Sequence, residues 1–220
     1  MPVRAFLFDF DGLILDTEVA SRAGWELLYR EHGHELPPEK WQLVVGTRDA
    51  WDPMAHLEEL VGRRLERESL NERRRAHELS LIEAEELRPG VETYLDAADR
   101  LGLKLGIVSS ASRQWIDMHL RRFERAHDFD LILAADHDAS RAKPAPTLYL
   151  EALELLGVRA DEAVAFEDSP PGVAAAKAAD IFTVAVPNEV TRDYSLDEAD
   201  LLVESLADLP PGELLARLGH

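Results

Sequence analysis

Short apolar runs recur along this 220-residue chain and are separated by segments of helical character. The runs lie at residues 5–8, 103–108, 131–134, 163–166 and 182–186, and the spacing predicts helices between the later ones, for example over residues 146–156. Buried strands that alternate with helices are typical of a parallel sheet covered by helices on both faces. The pattern therefore predicts an α/β fold.

Residues 18–86 have a different pattern, which is helical throughout. Val19, Ala23 and Leu27 are spaced by four and form an apolar stripe along the first predicted helix. Glycines and prolines divide the rest of this segment into further helices, and Arg88-Pro89-Gly90 marks the return to alternating strands and helices. We therefore predict a helical insertion at residues 18–86 within a core formed by residues 1–17 and 87–220.

The first apolar run ends in Asp9-Phe10-Asp11-Gly12. Residues two apart in a strand project to the same side, so the two carboxylates begin near one another, although the turn at Gly12 can swing the second one away. One carboxylate can then attack a substrate while the other transfers a proton. Asp and Gly are also ordinary turn residues after a strand, so this motif alone leaves a structural turn open.

Three further polar segments follow later strands. The hydroxyls of Ser109 and Ser110 come first, and such groups can bind phosphate together with backbone N–H groups at a helix N-terminus. Lys143 lies before two prolines, where a solvated lysine is the usual interpretation, and Glu167-Asp168 ends another strand, where acidic caps are common. In parallel sheets, ligands bind beyond the carboxyl ends of the strands, so the four segments together indicate phosphoryl chemistry.

With Asp9-Phe10-Asp11-Gly12, Ser110, Lys143 and Glu167-Asp168 in this order, the sequence resembles the haloacid dehalogenase superfamily. It is most similar to the branch of phosphatases and β-phosphoglucomutase-like enzymes that carry a small helical cap after the first motif, and the resemblance covers essentially the whole chain. It implies a Rossmann-like catalytic core with residues 18–86 as the cap domain. Ala142 and Asp180 stand where many members carry Gly, and neither touches the chemistry.

The resemblance also implies catalytic roles. Asp9 would be the nucleophile that forms an aspartyl-phosphate intermediate, and Asp11 the general acid and base. Mg²⁺ would bind the carboxylates of Asp9 and Asp168 and the backbone carbonyl of Asp11, and Glu167 would ligate it directly or through water.

Substrate contacts follow from the same resemblance. Lys143, Ser110 and the neighbouring Ser109 would hold the phosphoryl oxygens. The cap would face the leaving group, and we nominate Glu18 and Arg48 as residues that determine substrate specificity. The eight histidines lack metal-ligand spacing, and none is assigned a role.

The composition restricts partners and compartment. With 24 Lys and Arg against 43 Asp and Glu, the net charge of −19 argues against nucleic acid and anionic membranes as partners. The same charge repels a phosphorylated small molecule, so a metal ion and Lys143 must reverse the field locally. The sequence has no cysteine and no run of roughly twenty apolar residues, which fits a cytoplasmic protein, and we expect a monomer or weak homo-oligomer.

The sequence leaves three main candidate functions. We favour a phosphatase that acts on a small phosphorylated metabolite, such as a sugar phosphate. A phosphomutase is disfavoured, because the mutases that the chain resembles have a His where Ser21 falls by ungapped counting. A signalling receiver that only accepts phosphate needs neither a helical insertion nor Asp11 as a proton donor. A dehalogenase is not excluded by fold, although the second Asp favours phosphoryl transfer.

Overall fold

The computed structural model describes residues 2–47 and 51–219. The strands are β1 Ala5–Phe8, β2 Lys104–Ser109, β3 Leu131–Ala134, β4 Ala163–Glu167, β5 Phe182–Ala185 and β6 Leu201–Leu202. The helices are α1 Glu18–Glu31, α2 Pro38–Trp41, α3 Pro53–Val61, α4 Arg67–Ile82, α5 Val91–Leu101, α6 Arg113–Arg122, α7 Thr147–Leu156, α8 Pro170–Ala178 and α9 Pro211–Arg217. Short 3₁₀ turns lie at Ala126–Asp128, Ala160–Glu162 and Leu206–Asp208.

The strands form a parallel sheet in the order β3-β2-β1-β4-β5-β6. Its centre is β1, where Phe8 pairs with Ile107 on one side and with Phe166 on the other. Because all strands run the same way, the segments after β1, β2 and β4 meet at one edge. The α/β prediction is confirmed, and β6 is the strand that the sequence did not indicate, since two residues make too short a run.

Each face of the sheet has its own apolar layer, because alternate strand residues point to opposite sides. Phe8 and Phe166 stack with ring centroids 4.6 Å apart on the face covered by α5, α6 and α9. Leu7 and Ala165 lie on the other face, against α7 and α8. The layers are buried on both sides of the sheet, which is why these strands are continuous apolar runs.

Helices α1–α4 form the helical insertion, which has a core of its own. Tyr29, Trp41 and Leu57 are buried in this core, and α1 packs along α4. Val190, from the loop after β5, joins the same cluster and connects it to the sheet domain. The insertion therefore has a packed interior that is separate from the two layers on the sheet.

The two connections between the insertion and the sheet domain lie side by side. Leu15 pairs with Leu87 in an antiparallel bridge, and the Arg88 backbone N–H donates to the Ile14 carbonyl at 3.0 Å. The Arg88 guanidinium also donates to backbone carbonyls, including that of Pro187 at 2.8 Å. Both connections are thus tied to the loops beside β1 and β5.

Local predictions agree with the structure to within a residue or two. Gly157, in left-handed conformation, ends α7. Asp180 has a φ of 59°, so it adopts the left-handed conformation that glycine would otherwise supply. Within residues 2–47 and 51–219, no helix is both long enough and apolar enough to span a bilayer.

Candidate active site

A buried lysine lies between two carboxylates at the end of β1. Lys143 Nζ is 2.5 Å from Asp9 Oδ1 and 2.7 Å from Glu167 Oε1, and all three side chains are buried. Burial on its own lowers the pKa of Lys143, but the charges of Asp9 and Glu167 outweigh it and hold the pKa above its usual value. Lys143 is therefore a buried cation. The alternative interpretation of this residue as a solvated lysine does not apply.

Asp9, Glu167 and Asp168 form an acidic cluster, with one oxygen from each within 4.8 Å of the others. Burial, and then the negative charge of Asp9, raises the pKa of Asp168 well above its usual value. Among the described residues, Glu167 Oε2 has no hydrogen-bond partner although it is buried. A cluster of carboxylate oxygens with one oxygen unsatisfied fits a hard divalent cation, so these residues could hold a metal ion.

The Asp168 carboxylate is held in place by Asn188. Asn188 Nδ2 donates to Asp168 Oδ2 at 2.7 Å, while Asn188 Oδ1 accepts from the backbone N–H groups of Val190 and Thr191 at 2.8 and 3.0 Å. Asn188 was not among the residues predicted from the sequence. It follows β5 just as Asp9 follows β1, so the strand-end rule that located the other motifs also applies to it.

Gly12 completes the first motif for a steric reason. It has a φ of +81°, and a Cβ there would lie 2.3 Å from Asp168 Oδ2 and 2.5 Å from Asn188 Nδ2. Both values are far below a normal contact distance. A side chain at this position would therefore displace the acidic cluster.

The turn at Gly12 carries the Asp11 side chain away from this cluster. Asp11 Oδ1 accepts hydrogen bonds from Thr17 Oγ1 and from Trp115 Nε1, each at 2.7 Å, and Oδ2 lies 3.4 Å from Ser109 Oγ. Burial, and then the charge of Asp9, raises the pKa of Asp11 to about 6, against the lowering effect of its two donors. Asp11 and Asp9 thus have separate environments.

The serines at the end of β2 are held by backbone groups. Ser109 Oγ accepts from the Ala111 N–H at 3.0 Å. Ser110 Oγ accepts from the Lys143 N–H at 3.1 Å and donates to the Gly46 carbonyl of the helical insertion at 3.2 Å. The Ser112 side chain caps the N-terminus of α6.

A cavity of about 330 Å³ separates the sheet edge from the helical insertion. Its sheet side contains Asp9, Asp11, Ser109, Ser110 and Lys143. Its insertion side contains Glu18, Ser21, Trp25, Arg74 and Glu78, with others. Thus Glu18 lies where it was predicted, whereas Arg48 lies outside the described residues.

The insertion side of the cavity is charged and aromatic. Arg74 donates to Glu78 at 2.6 Å, and its guanidinium lies 4.9 Å from the centroid of the Trp25 ring. Burial, and then the charges of Asp11 and Asp9, raises the pKa of Glu18 well above its usual value. The sequence analysis did not assign Arg74 or Glu78, because charges four apart on a helix are typical of a solvated face.

Comparison with known proteins identifies the family. The family model described as haloacid dehalogenase-like hydrolase matches residues 6–186. The chain is 43% identical over 218 residues to the Bacillus subtilis (strain 168) protein named "Putative phosphatase YhcW", which covers 99% of this chain and 97% of that protein. The chain belongs to the haloacid dehalogenase-like hydrolases.

Two proteins that are less similar to this chain have more specific names. Hexitol phosphatase A of Escherichia coli (strain K12) is 28% identical over 211 residues, 95% of this chain and 94% of its own length. A crystal structure of a CbbY mutant from Rhodobacter sphaeroides in complex with xylulose-(1,5)bisphosphate has a TM-score of 0.73 and 26% identity, and covers 94% of this chain and 96% of its own.

These likenesses confirm the predicted family, the fold and the class of enzyme, a hydrolase of the phosphatase type. None of these three names describes a signalling receiver, which accepts phosphate without turning it over. The family membership and the buried acidic triad agree on a metal-binding site. The individual roles of the site residues stay predictions.

Proposed function

We propose that this haloacid dehalogenase-like hydrolase is a Mg²⁺-dependent phosphatase that hydrolyses a small sugar phosphate through an aspartyl-phosphate on Asp9. One observation carries the proposal. The Asp9 carboxylate lies at the sheet edge of a cavity, paired with Lys143 at 2.5 Å and adjoining two further buried carboxylates. This is an environment for a nucleophile that must approach an anionic phosphoryl group.

In the first half-reaction, an Asp9 carboxylate oxygen attacks phosphorus and the bond from phosphorus to the leaving oxygen breaks. Lys143 offsets negative charge on Asp9 and on the transferring group. Ser109 and Ser110 line the same cavity and supply hydroxyls for the phosphoryl oxygens. Asp11 donates its proton to the leaving oxygen, so that the product departs as a neutral alcohol.

In the second half-reaction, Asp11 acts as the base. It accepts a proton from a water molecule that attacks the phosphoryl group on Asp9, and the bond between phosphorus and the Asp9 oxygen breaks. Inorganic phosphate leaves, and Asp9 returns to its carboxylate form. The separate environment of Asp11, bonded to Thr17 and Trp115 and not to the acidic cluster, supports a role distinct from that of Asp9.

Asp9, Asp168 and Glu167 would hold the metal ion, with the Asp11 backbone carbonyl as a further oxygen ligand. When bound, Mg²⁺ supplies positive charge that reduces repulsion between carboxylate and phosphate. Asn188 orients Asp168 for this task through its 2.7 Å hydrogen bond.

The substrate proposal rests on the insertion side of the cavity. We propose that residues 18–86 form a cap on the core of residues 1–17 and 87–220, and that hinges near residues 15–17 and 86–89 let it close over the leaving group. A cavity of about 330 Å³ suits a small metabolite, and Glu18 offers a carboxyl to its hydroxyls. The name of the hexitol phosphatase and the xylulose-(1,5)bisphosphate bound in the CbbY structure support a phosphorylated sugar.

Hydrolysis is preferred over a phosphomutase relay because of Ser21. This residue lines the cavity, and it stands where the mutases that the chain resembles have a His. A serine hydroxyl near neutral pH is a much weaker proton acceptor than an imidazole. The cavity therefore favours release of the alcohol product over its return for a second transfer.

The test is a screen of the purified protein against phosphorylated metabolites, with Mg²⁺ and after chelation, alongside Asp9→Asn. We expect Mg²⁺-dependent release of inorganic phosphate, with one sugar phosphate at least about tenfold above the rest in kcat/KM, a difference of roughly 1.4 kcal/mol in transition-state binding. Asp9→Asn should be inactive. Turnover that survives chelation, or a fully active Asp9→Asn, would contradict the proposal, and isomerisation of the sugar phosphate without phosphate release would identify a mutase.

A further inference from the structure

Trp115 makes a hydrogen bond to the proposed general acid and base. Its indole Nε1 lies 2.7 Å from Asp11 Oδ1, within the range of charge-assisted hydrogen bonds. Thr17 Oγ1 donates to the same oxygen, also at 2.7 Å. Within residues 2–47 and 51–219, the other oxygen, Oδ2, has only a longer contact of 3.4 Å with Ser109 Oγ. The two oxygens of Asp11 are therefore in different surroundings.

This arrangement constrains where a proton can sit on Asp11. An indole N–H can only donate, whereas a hydroxyl can rotate and accept. Oδ1 must therefore present a lone pair to Trp115, and its second lone pair faces Thr17. A proton on Asp11 is therefore favoured on Oδ2, because a proton on Oδ1 could be accommodated only by turning the Thr17 hydroxyl from donor to acceptor, a change that the Trp115 N–H cannot make.

We propose that Trp115 is a positioning residue that makes Asp11 Oδ2 the oxygen that delivers the proton to the leaving group and takes it back from water. The inference rests on the role given to Asp11 under "Proposed function". It adds to that role a defined oxygen and a residue that selects it.

The indole itself is held in place by neighbours on two sides. Its ring meets the His119 ring edge-on, with centroids 4.3 Å apart, and His119 stacks on Phe10 at 6.3 Å. The backbone N–H of Trp115 donates to Ser112 Oγ at 3.3 Å. Because Phe10 lies between Asp9 and Asp11 in the chain, this packing ties α6 to the catalytic loop and fixes the donor before substrate binds.

The main test is Trp115→Phe, which keeps an aromatic ring against His119 but removes the N–H. On the sugar phosphate we expect kcat to fall on the order of tenfold, the effect of one charge-assisted hydrogen bond, while KM changes little. On p-nitrophenyl phosphate the fall in kcat/KM, which reports the steps up to departure of the leaving group, should be much smaller, because a nitrophenolate leaves without a proton. Trp115→Gln, whose amide N–H has a similar reach, should recover part of the lost kcat.

The matched control is Trp51→Phe. Trp51 also packs against a histidine, His56, at 5.3 Å, but it belongs to the apolar cluster of the helical insertion and does not line the cavity. This variant should change kcat equally little on both substrates. Circular dichroism and thermal denaturation establish that each variant is folded, and if Trp115→Phe is not, Trp115→Met replaces it as the variant without a donor, matched in length to Trp115→Gln.

A double-mutant cycle then tests whether Trp115 acts through Asp11. In an Asp11→Asn background, Trp115→Phe should cost little further activity. Additive losses, equal losses on both substrates, or an unchanged kcat in Trp115→Phe would overturn the inference. These outcomes differ from a failure of the proposed function, which would appear as wild-type activity in Asp11→Asn alone.

Discussion

The two sides of the cavity are built in different ways. On the sheet side, Asp9 and Glu167 come from the ends of β1 and β4 and Lys143 from the loop before α7, and the lysine bonds to the two carboxylates at 2.5 and 2.7 Å. On the insertion side, Arg74 and Glu78 are one helical turn apart on α4 and bond at 2.6 Å. The first arrangement depends on the whole sheet, whereas the second depends on a local pair.

This difference separates chemistry from substrate choice. A substitution on the sheet side disturbs buried charges that neutralise one another. An unpaired buried charge lowers the stability of the protein. A substitution on the insertion side alters the surface of a helix that packs mainly in the insertion's own apolar cluster. We therefore expect substitutions on the sheet side to affect every substrate, and those on the insertion side to affect only substrates that reach it.

The largest effect should come from Asp9 and Asp11. Asp9→Asn removes the nucleophile and should abolish turnover of all substrates. Asp11→Asn should lower turnover of a sugar phosphate on the order of 10²–10⁴-fold while some phosphorylation of Asp9 remains. Steady-state assays with mass spectrometry of the intact protein measure both effects. An Asp11→Asn enzyme that hydrolyses a sugar phosphate at the wild-type rate would remove its assigned role.

The next largest effect concerns metal dependence. Asp168 is held by Asn188, whereas Glu167 is already paired with Lys143 and accepts from Tyr149. Asp168→Ala should therefore raise the Mg²⁺ concentration needed for half-maximal activity far more than Glu167→Ala does. Titration of activity with Mg²⁺ in both variants checks this, and equal shifts would mean that the inner ligands are assigned wrongly.

Sequence reasoning was more successful on the sheet side, and the reason is topological. A parallel sheet brings all strand ends to one edge, so Asp9, Ser110, Lys143 and Asp168 could be grouped from apolar runs alone. Asn188 could have been predicted by the same rule, because it follows β5. The folding of the chain at Gly12, which sends Asp11 toward α6, has only a weak sequence signal in the glycine.

Helix residues at the cavity were not predictable in the same way. Trp115 and His119 are four apart on α6, so the pattern indicates a shared helix face but not what that face meets. The contact with Asp11 depends on how α6 lies over the sheet edge. Likewise, the contact of Arg74 with Trp25 needs the packing of α4 on α1, which periodicity does not specify.

A smaller and more selective effect is expected for Glu18. Glu18→Gln keeps the shape of the side chain and replaces its ionisable carboxyl by an amide at the insertion side of the cavity. We expect it to raise KM for the sugar phosphate on the order of tenfold, by weakening a hydrogen bond to a substrate hydroxyl. Hydrolysis of p-nitrophenyl phosphate should change little. Equal losses on both substrates would show that Glu18 acts on the phosphoryl site, and the contrast between the two sides would fail.

The smallest effect should appear in stability and not in activity. His119 is buried behind the sheet side of the cavity, and burial, followed by the charge of Arg122, lowers its pKa to about 4 from an ordinary value of 6.5. The unfolded chain therefore binds more protons than the folded one between these two pH values. The contribution of the neutral His119 to the free energy of unfolding is therefore complete above about pH 6.5. This contribution is lost as the pH falls toward 4.

Urea denaturation of wild type and His119→Gln at several pH values measures this contribution. Both proteins lose stability in acid because of their carboxylates, but the wild type should lose about 3 kcal/mol more between pH 7 and pH 4. His34→Gln, on the partly exposed loop after α1, is the control and should follow the wild type. If His119→Gln loses as much stability as the wild type, the histidine is not held neutral by its packing against Phe10 and Trp115, and the sheet side of the cavity is less tightly enclosed than its contacts indicate.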